Sequence, residues 1–348
     1  MIAIRHVGAA GGTGSTAPVR SAPLATLAIL AGTLLAAEVA AGATAVDAPE
    51  PPLCLYVSSY HEGYPWSDGV ESGLRDALAG VCEIEQFDMD TKRRPQPEQI
   101  AAAAAEARRL VEVLQPDIII TSDDNAARHF VVPYLHGGSV PVVFSGINWT
   151  VEEYGLPTDN ITGIVEVAPI RPMIREAMAL VPGATRAAYI GAPTLAEQKN
   201  FERIAAIATE HGVIIDHVIV EDFEAWKVAL EDAQNYDFVV VGSHADVNGW
   251  DTALAADHAL ATTRRPSLTN YEWMMPVSVV GYTKLPEEHG ERAGATARAI
   301  LAGTAIRDIP LVVNRKWDTW LNVALAERLD TNVPERLRQR AKHIEVRP

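Results

Sequence analysis

The strongest constraint in this chain is an alternation. Short strand-type runs, several of them wholly apolar, are separated by longer stretches of helical periodicity. LCLYVSSY (53–60), CEIEQFDM (82–89), DIIITS (117–122) and VPVVFSG (140–146) are of strand type, with the helical WSDGVESGLRDALAG (66–80), PEQIAAAAAEARRLVEVLQ (97–115) and DDNAARHFVVPYL (123–135) between them. A strand buried on both faces carries no polar alternation. A succession of such strands with helices between them folds as a parallel sheet covered on both sides. The pattern pauses at INWTVEEYGLPTDNITGIVEV (147–167), which has loop chemistry and one short strand. It then restarts with PIRPMIREAMALV (169–181), RAAYIGA (186–192), LAEQKNFERIAAIATEHG (195–212), VIIDHVIV (213–220), EAWKVALEDAQ (224–234), DFVVVGS (237–243), TALAADHALATT (252–263) and PSLTN (266–270).

Two βα series joined by an extended segment predict an α/β chain of two doubly wound, Rossmann-like lobes. SVVGYTKL (278–285), the helical 288–303 and IPLVVNRKWDTWLNVALAERL (309–329) follow, the last read as a strand and then a helix. Such a tail implies that the chain crosses between lobes more than once, which creates a hinge and a cleft. The expected division is 47–160 plus 274–308 for the first lobe and 161–273 plus 309–348 for the second.

The first 45 residues read separately. Arg5 and Arg20 precede an apolar run (24–42) broken only by Glu38, and Ala43-Thr44-Ala45 matches a small-x-small cleavage pattern. This predicts a secretory signal peptide over 1–45; an uncleaved anchor is the alternative. An even pair of cysteines, Cys54 and Cys82, opens two consecutive strands. In an oxidising compartment the pair suggests a disulfide, with two buried thiols as the other reading. A formal charge of −16 repels phosphate backbones and argues against nucleic acid as a partner.

In open α/β sheets, ligands sit beyond the carboxyl ends of the strands. The loop SSYHEGYPWSDG (58–69) there packs two tyrosines, a histidine and a tryptophan into one connection. The first-lobe candidates are Ser59, Tyr60, Tyr64, Trp66, Ser122, Asp123, Asp124, Ser145, Asn148 and Trp149. Those of the second lobe are Ser243, His244, Asn270, Glu272 and Trp273. Four of the seven tryptophans (Trp66, Trp149, Trp250, Trp273) fall in such loops. Rings interleaved with hydroxyls, amides and carboxylates suit a small polar ligand with an apolar face. Asp123 and Asp124 could instead cap the following helix, and His244 with Asp246 could do acid–base work. Trp317 and Trp320, read at helical spacing, are expected to be core or hinge residues. The chain lacks a nucleophile elbow, a P-loop and an HExxH pair. No catalytic residue, metal ligand or cofactor is therefore assigned.

YVSSYHEGYPWSDGVESGL resembles the opening of periplasmic substrate-binding domains of the ABC-transporter type, and is similar to extracellular sensor domains of some bacterial histidine kinases. PVVFSGINW, NITGIVEV, LVPGATRAAYIG and NRKWDTWLNVALAERL extend the resemblance over about residues 53–330. It implies a type I periplasmic binding protein fold, two lobes with three crossovers that close on a small-molecule solute: a sugar, an aromatic amino acid or similar. It implies a periplasmic monomer that serves a membrane permease or, alternatively, a sensor kinase. A hydrolase using Asp123, Asp124 or His244 is the third reading.

Overall fold

The apolar runs form the middles of two separate sheets in the computed structural model, which describes residues 50–245 and 247–344. The signal-peptide segment and Asp246 lie outside the described residues. The first sheet has six strands in the order β11 (Val312–Val313), β5 (Ile161–Glu166), β4 (Val142–Asn148), β3 (Ile118–Ser122), β1 (Leu53–Ser58) and β2 (Glu83–Asp88). All its pairings are parallel. The second has seven, in the order β13 (Lys342–Ile344), β12 (Trp317–Asn322), β10 (Val280–Lys284), β9 (Ser267–Thr269), β8 (Phe238–Val241), β6 (Arg186–Gly191) and β7 (Ile214–Ile219). Only the β10–β12 pairing there is antiparallel. β3 and β8 are buried along their whole length, as strands covered on both faces must be.

The covering helices are α1 (Pro65–Leu78), α2 (Pro97–Leu114), α3 (Asp123–Ala126), α4 (Val132–Tyr134), α5 (Ile170–Leu180), α6 (Leu195–Glu210), α7 (Phe223–Asp232), α8 (Thr252–Thr262), α9 (Pro286–Leu301), α10 (Val323–Ala326) and α11 (Glu335–Arg340). A π-helical turn, Ala127–Val131, joins α3 to α4. Proline opens α1, α2 and α9, where its missing N–H removes no helical hydrogen bond. Each lobe has its own core: one cluster built on Tyr189, Trp226 and Phe238 in the second, and two flanking the first sheet. Cys54 and Cys82 are bonded, their Cα atoms 6.0 Å apart across the parallel β1–β2 pair. The disulfide reading is the one realised.

The lobe boundaries differ from the expected ones. Residues 161–166, expected in the second lobe, form β5 and pair with β4 from Val142↔Ile161 onward, inside the first sheet. Residues 274–285, expected in the first, carry β10 into the second sheet between β9 and β12. The tail contributes β11 to the first sheet before β12 joins the second, so 309–329 is two strands and a short helix, not one strand and a long helix. The reason is that an edge strand pairs with whichever neighbour its connection can reach, and backbone pairing of distant segments leaves no mark in local composition.

The chain thus crosses between lobes three times: after Glu166, after Lys284, and between Val313 and Trp317. These crossings are tied together. Asn314 accepts from the Val167 N–H at 2.7 Å and donates to its carbonyl at 3.1 Å. The buried Glu288 of α9 accepts from the backbone N–H groups of Arg315 and Lys316.

α9 itself belongs to the first lobe because it lies directly against α1. A Cβ on Gly73 would fall 2.2 Å from the Glu287 carbonyl oxygen, and one on Gly290 would fall 2.0 Å from that of Val70. The two backbones touch where side chains are absent. Gly290→Ala is therefore expected to push the helices apart and cost about 1–3 kcal/mol, read as a lower midpoint in thermal denaturation. An unchanged midpoint would show that the contact yields freely.

Candidate functional site

Residues at or just beyond the carboxyl ends of β1, β3, β4 and β5 face residues beyond β9 and β10 across a cavity of about 790 Å³. The first-lobe wall starts from the 58–69 loop. Pro65 begins α1 and sets Trp66 on its first turn, where the indole N–H donates to Asp123 Oδ1 at 2.9 Å. Tyr60 and Tyr64 meet edge to face at 5.1 Å, and the Lys92 ammonium lies 4.8 Å from the centre of the Tyr60 ring. Burial pushes the Tyr60 phenol up, with the Asp123 charge adding to it.

Asp123 holds an unusual position. Its φ is 70°, in the left-handed region that non-glycine residues seldom occupy. It is 3% exposed, and its Oδ2 has no hydrogen-bond partner. Burial pushes its carboxyl well above the usual carboxylate range, and the nearby Glu166 charge pushes further. Strain of this kind persists only where surroundings enforce it, and it clusters at sites of function.

The second-lobe wall is also aromatic. Tyr271 and Trp273 pack at 4.9 Å. The Tyr271 hydroxyl donates to Glu197 Oε1 at 2.9 Å, and Glu197 also accepts from Tyr189 at 2.6 Å and from the Ser243 N–H at 3.1 Å. The Trp273 indole donates to Ser243 Oγ at 3.2 Å, and that of Trp320 donates to Thr283 Oγ1 at 2.8 Å. Glu166 of the first lobe pairs with Lys284 of the second at the base of the cleft, and the Lys284 ammonium lies 5.2 Å from the Trp66 ring centre.

Of the residues singled out from sequence, Tyr60, Tyr64, Trp66, Asp123 and Asn148 line the cavity from one lobe, and Asn270, Glu272 and Trp273 from the other. The remaining seven do not line it. Ser59 donates to the Ser122 carbonyl and accepts from the Ala126 N–H, which locks the first loop onto α3. Ser122 shares a hydrogen bond with the Tyr56 hydroxyl. Ser145 is buried and donates to the Thr121 carbonyl. Asp124 caps no helix; it accepts from the Asn148 amide and the Tyr154 hydroxyl, at 2.7 Å each. Trp149 leaves the first lobe to pack on the second, with the Arg203 guanidinium 4.3 Å from its ring. Ser243 acts through Trp273. His244 stacks on Trp250 at 4.9 Å.

The cavity also contains residues that the sequence reading left out: Glu166, Tyr271, Thr283, Lys284, Asp318, Trp320 and Lys342. Tyr271 stands between two chosen residues and was within reach of the strand-end rule. Trp320 was not, because its segment is a strand and not the helix that its spacing suggested. Among the described residues no group of His, Cys, Asp and Glu is placed to hold a metal ion, and no helix is long and apolar enough to cross a membrane.

A family model described as ABC transporter substrate binding protein matches residues 61–345. No curated protein matches the chain. Among solved structures, the chain is similar to a ligand-free, open substrate binding protein with adhesive properties from Clostridium difficile, with a TM-score of 0.69, 12% identity, and coverage of 85% of this chain and 100% of that one. It is also similar to an ABC domain from Streptococcus pneumonia in complex with L-Trp (TM-score 0.57, 16% identity, 84% and 99% covered). A third is a periplasmic ribose ABC transporter protein from Conexibacter woesei (0.52, 12%, 80% and 94%). The shared architecture is the type I periplasmic binding protein fold.

The raised Asp123 gives a signed expectation. Above the unfolded value of about 4, the folded chain still holds a proton that the unfolded chain has lost, so this group's contribution to stability falls as pH rises. Asp123→Asn removes that dependence. Melting temperatures of the two proteins, compared from acid to neutral pH, should show the parent losing ground to the variant as pH rises. A difference that stays constant would mean Asp123 titrates normally.

Proposed function

This chain belongs to the family of ABC transporter substrate binding proteins, and from that premise we propose that it is an exported protein that traps a small ring-bearing or polar solute by hinge closure and hands it to a membrane permease. The observation that carries this reading is the cavity between the lobes, walled by aromatic rings from both. Rings whose polar tips are tied back to their own lobe present their faces, and faces stack on flat ligands. The three tied crossings supply a narrow joint about which the lobes can bend. Closure follows from a solute that touches both walls, because only greater affinity for the closed state can shift the balance. The similar Streptococcus domain holds L-Trp, whose indole is a flat ring of the sort that aromatic walls can stack on. A hydrolase reading has less support: Asp124 is taken up by Asn148 and Tyr154, and His244 stacks on Trp250 outside the cavity lining.

Export is supported by the Cys54–Cys82 bond, since structural disulfides persist in oxidising compartments. Mass spectrometry of the exported protein is expected to find an N-terminus near Val46; a retained residue 1–45 segment would refute cleavage there.

Small-angle scattering and thermal melts across sugars, amino acids, nucleosides and amines test the binding role. A cognate solute should contract the particle and, at a hundredfold excess over its Kd, stabilise it by about 2.7 kcal/mol. If no class of solute does either, the cavity is not a solute site.

A further inference from the structure

The cavity's chemistry narrows the solute class, provided that the cavity is the solute site. We infer that the solute is an organic cation, an amine or quaternary ammonium compound with no free carboxylate or phosphate.

The first argument is charge. Five carboxylates line the cavity against two ammonium groups. Both ammonium groups are already paired, Lys284 with Glu166 and Lys342 with Asp318. Asp123, Glu272 and Glu287 remain without a cationic partner among the described residues. A ligand anion would meet Glu272 and Glu287 with no unpaired ammonium in the lining itself (Lys92, 4.8 Å from the Tyr60 ring centre, is not part of it), whereas a ligand cation supplies the missing countercharge. Asp123 is the most buried of the three, with one oxygen lacking a hydrogen-bond partner; burial favours its protonated form, and a ligand cation beside it would favour the ionised one.

Hydrogen-bond donors give a second, independent argument. All three lining indoles are donating within the protein, to Asp123, Ser243 and Thr283. The Asn148 amide donates to Asp124, and the Tyr271 hydroxyl donates to Glu197. Of the lining side chains, the Tyr60 and Tyr64 hydroxyls and the Asn270 amide remain to donate to a carboxylate, against the acceptor oxygens of five carboxylates. The site suits a ligand that donates.

Ring faces complete the picture. Cations are drawn to aromatic faces, and several rings around one ammonium form a cage. The Lys284 ammonium lies 5.2 Å from the Trp66 ring centre, so the protein's own cation already occupies this kind of position. Tyr271 and Trp273 offer comparable faces from the opposite wall.

Isothermal titration calorimetry on the purified protein tests this with tryptamine, choline, L-Trp, indole and glucose. At least one of the two cations should bind; if it is tryptamine, it should bind at least tenfold tighter than L-Trp or indole. Asp123→Asn should weaken cation binding at least tenfold. Glu272→Gln, at an exposed position where folding is not in question, should weaken it in the same direction. Binding of L-Trp, indole or glucose as tight as or tighter than the better-bound of the two cations overturns the inference and leaves the solute-trapping role intact. Retention of full cation affinity in both variants overturns the inference too. Failure of every class of solute to bind overturns the site itself, and this inference with it.

Discussion

Glu166 ends β5 in the first lobe, Lys284 ends β10 in the second, and their ion pair joins the lobes at the base of the cleft. The carboxylate is buried, and burial pushes its pKa up even though Lys284 pulls it down. A buried pair adds little net stability over apolar packing, but removing one partner strands a charge at a cost of about 3–5 kcal/mol. The pair therefore acts as a specification. It dictates that the first and second crossings lie side by side, and Asn314 then binds the third to the first through Val167. A joint made of three adjacent segments can bend, whereas two lobes packed face to face could not.

The same region sets the cleft's chemistry. Lys284 contacts both Glu166 and the face of Trp66, Trp66 donates to Asp123, and Asp123 is held in a backbone conformation that its side chain disfavours. Hinge and site share residues, so a change in the spacing of the lobes must alter the surroundings of Asp123. On the second wall, Glu197 gathers Tyr189, Tyr271 and the Ser243 backbone beneath the surface. That buried carboxylate touches no cavity space, yet it sets the angle at which Tyr271 and, through Ser243, Trp273 present their rings.

Much of this was legible in advance. The apolar stretches at 118–120 and 238–241 form buried strands because such neighbours on both faces call for a covered parallel sheet. The aromatic loop 58–69 was marked by composition, and Tyr60, Tyr64 and Trp66 do line the cleft. Position alone marks Ser59, Ser122 and Ser145; the Ser59 and Ser145 hydroxyls turn inward to buried carbonyls and a helix N–H, and that of Ser122 to the Tyr56 hydroxyl. As neighbours in sequence Asp123 and Asp124 read alike, but one faces the cavity and the other holds Asn148 and Tyr154.

What the sequence determined by itself was local: which segments are strands or helices, where the loops fall, and that aromatic and acidic groups crowd the strand ends. Hydrophobic periodicity and turn chemistry act over a few residues, so they can be read from a few residues. The tertiary structure alone decided which lobe owns β5, β10 and β11, that α9 lies backbone to backbone on α1, and that Lys284 answers Glu166 from 118 positions away. Those outcomes rest on pairings between distant segments, whose energies depend on geometry that no single stretch of chain contains.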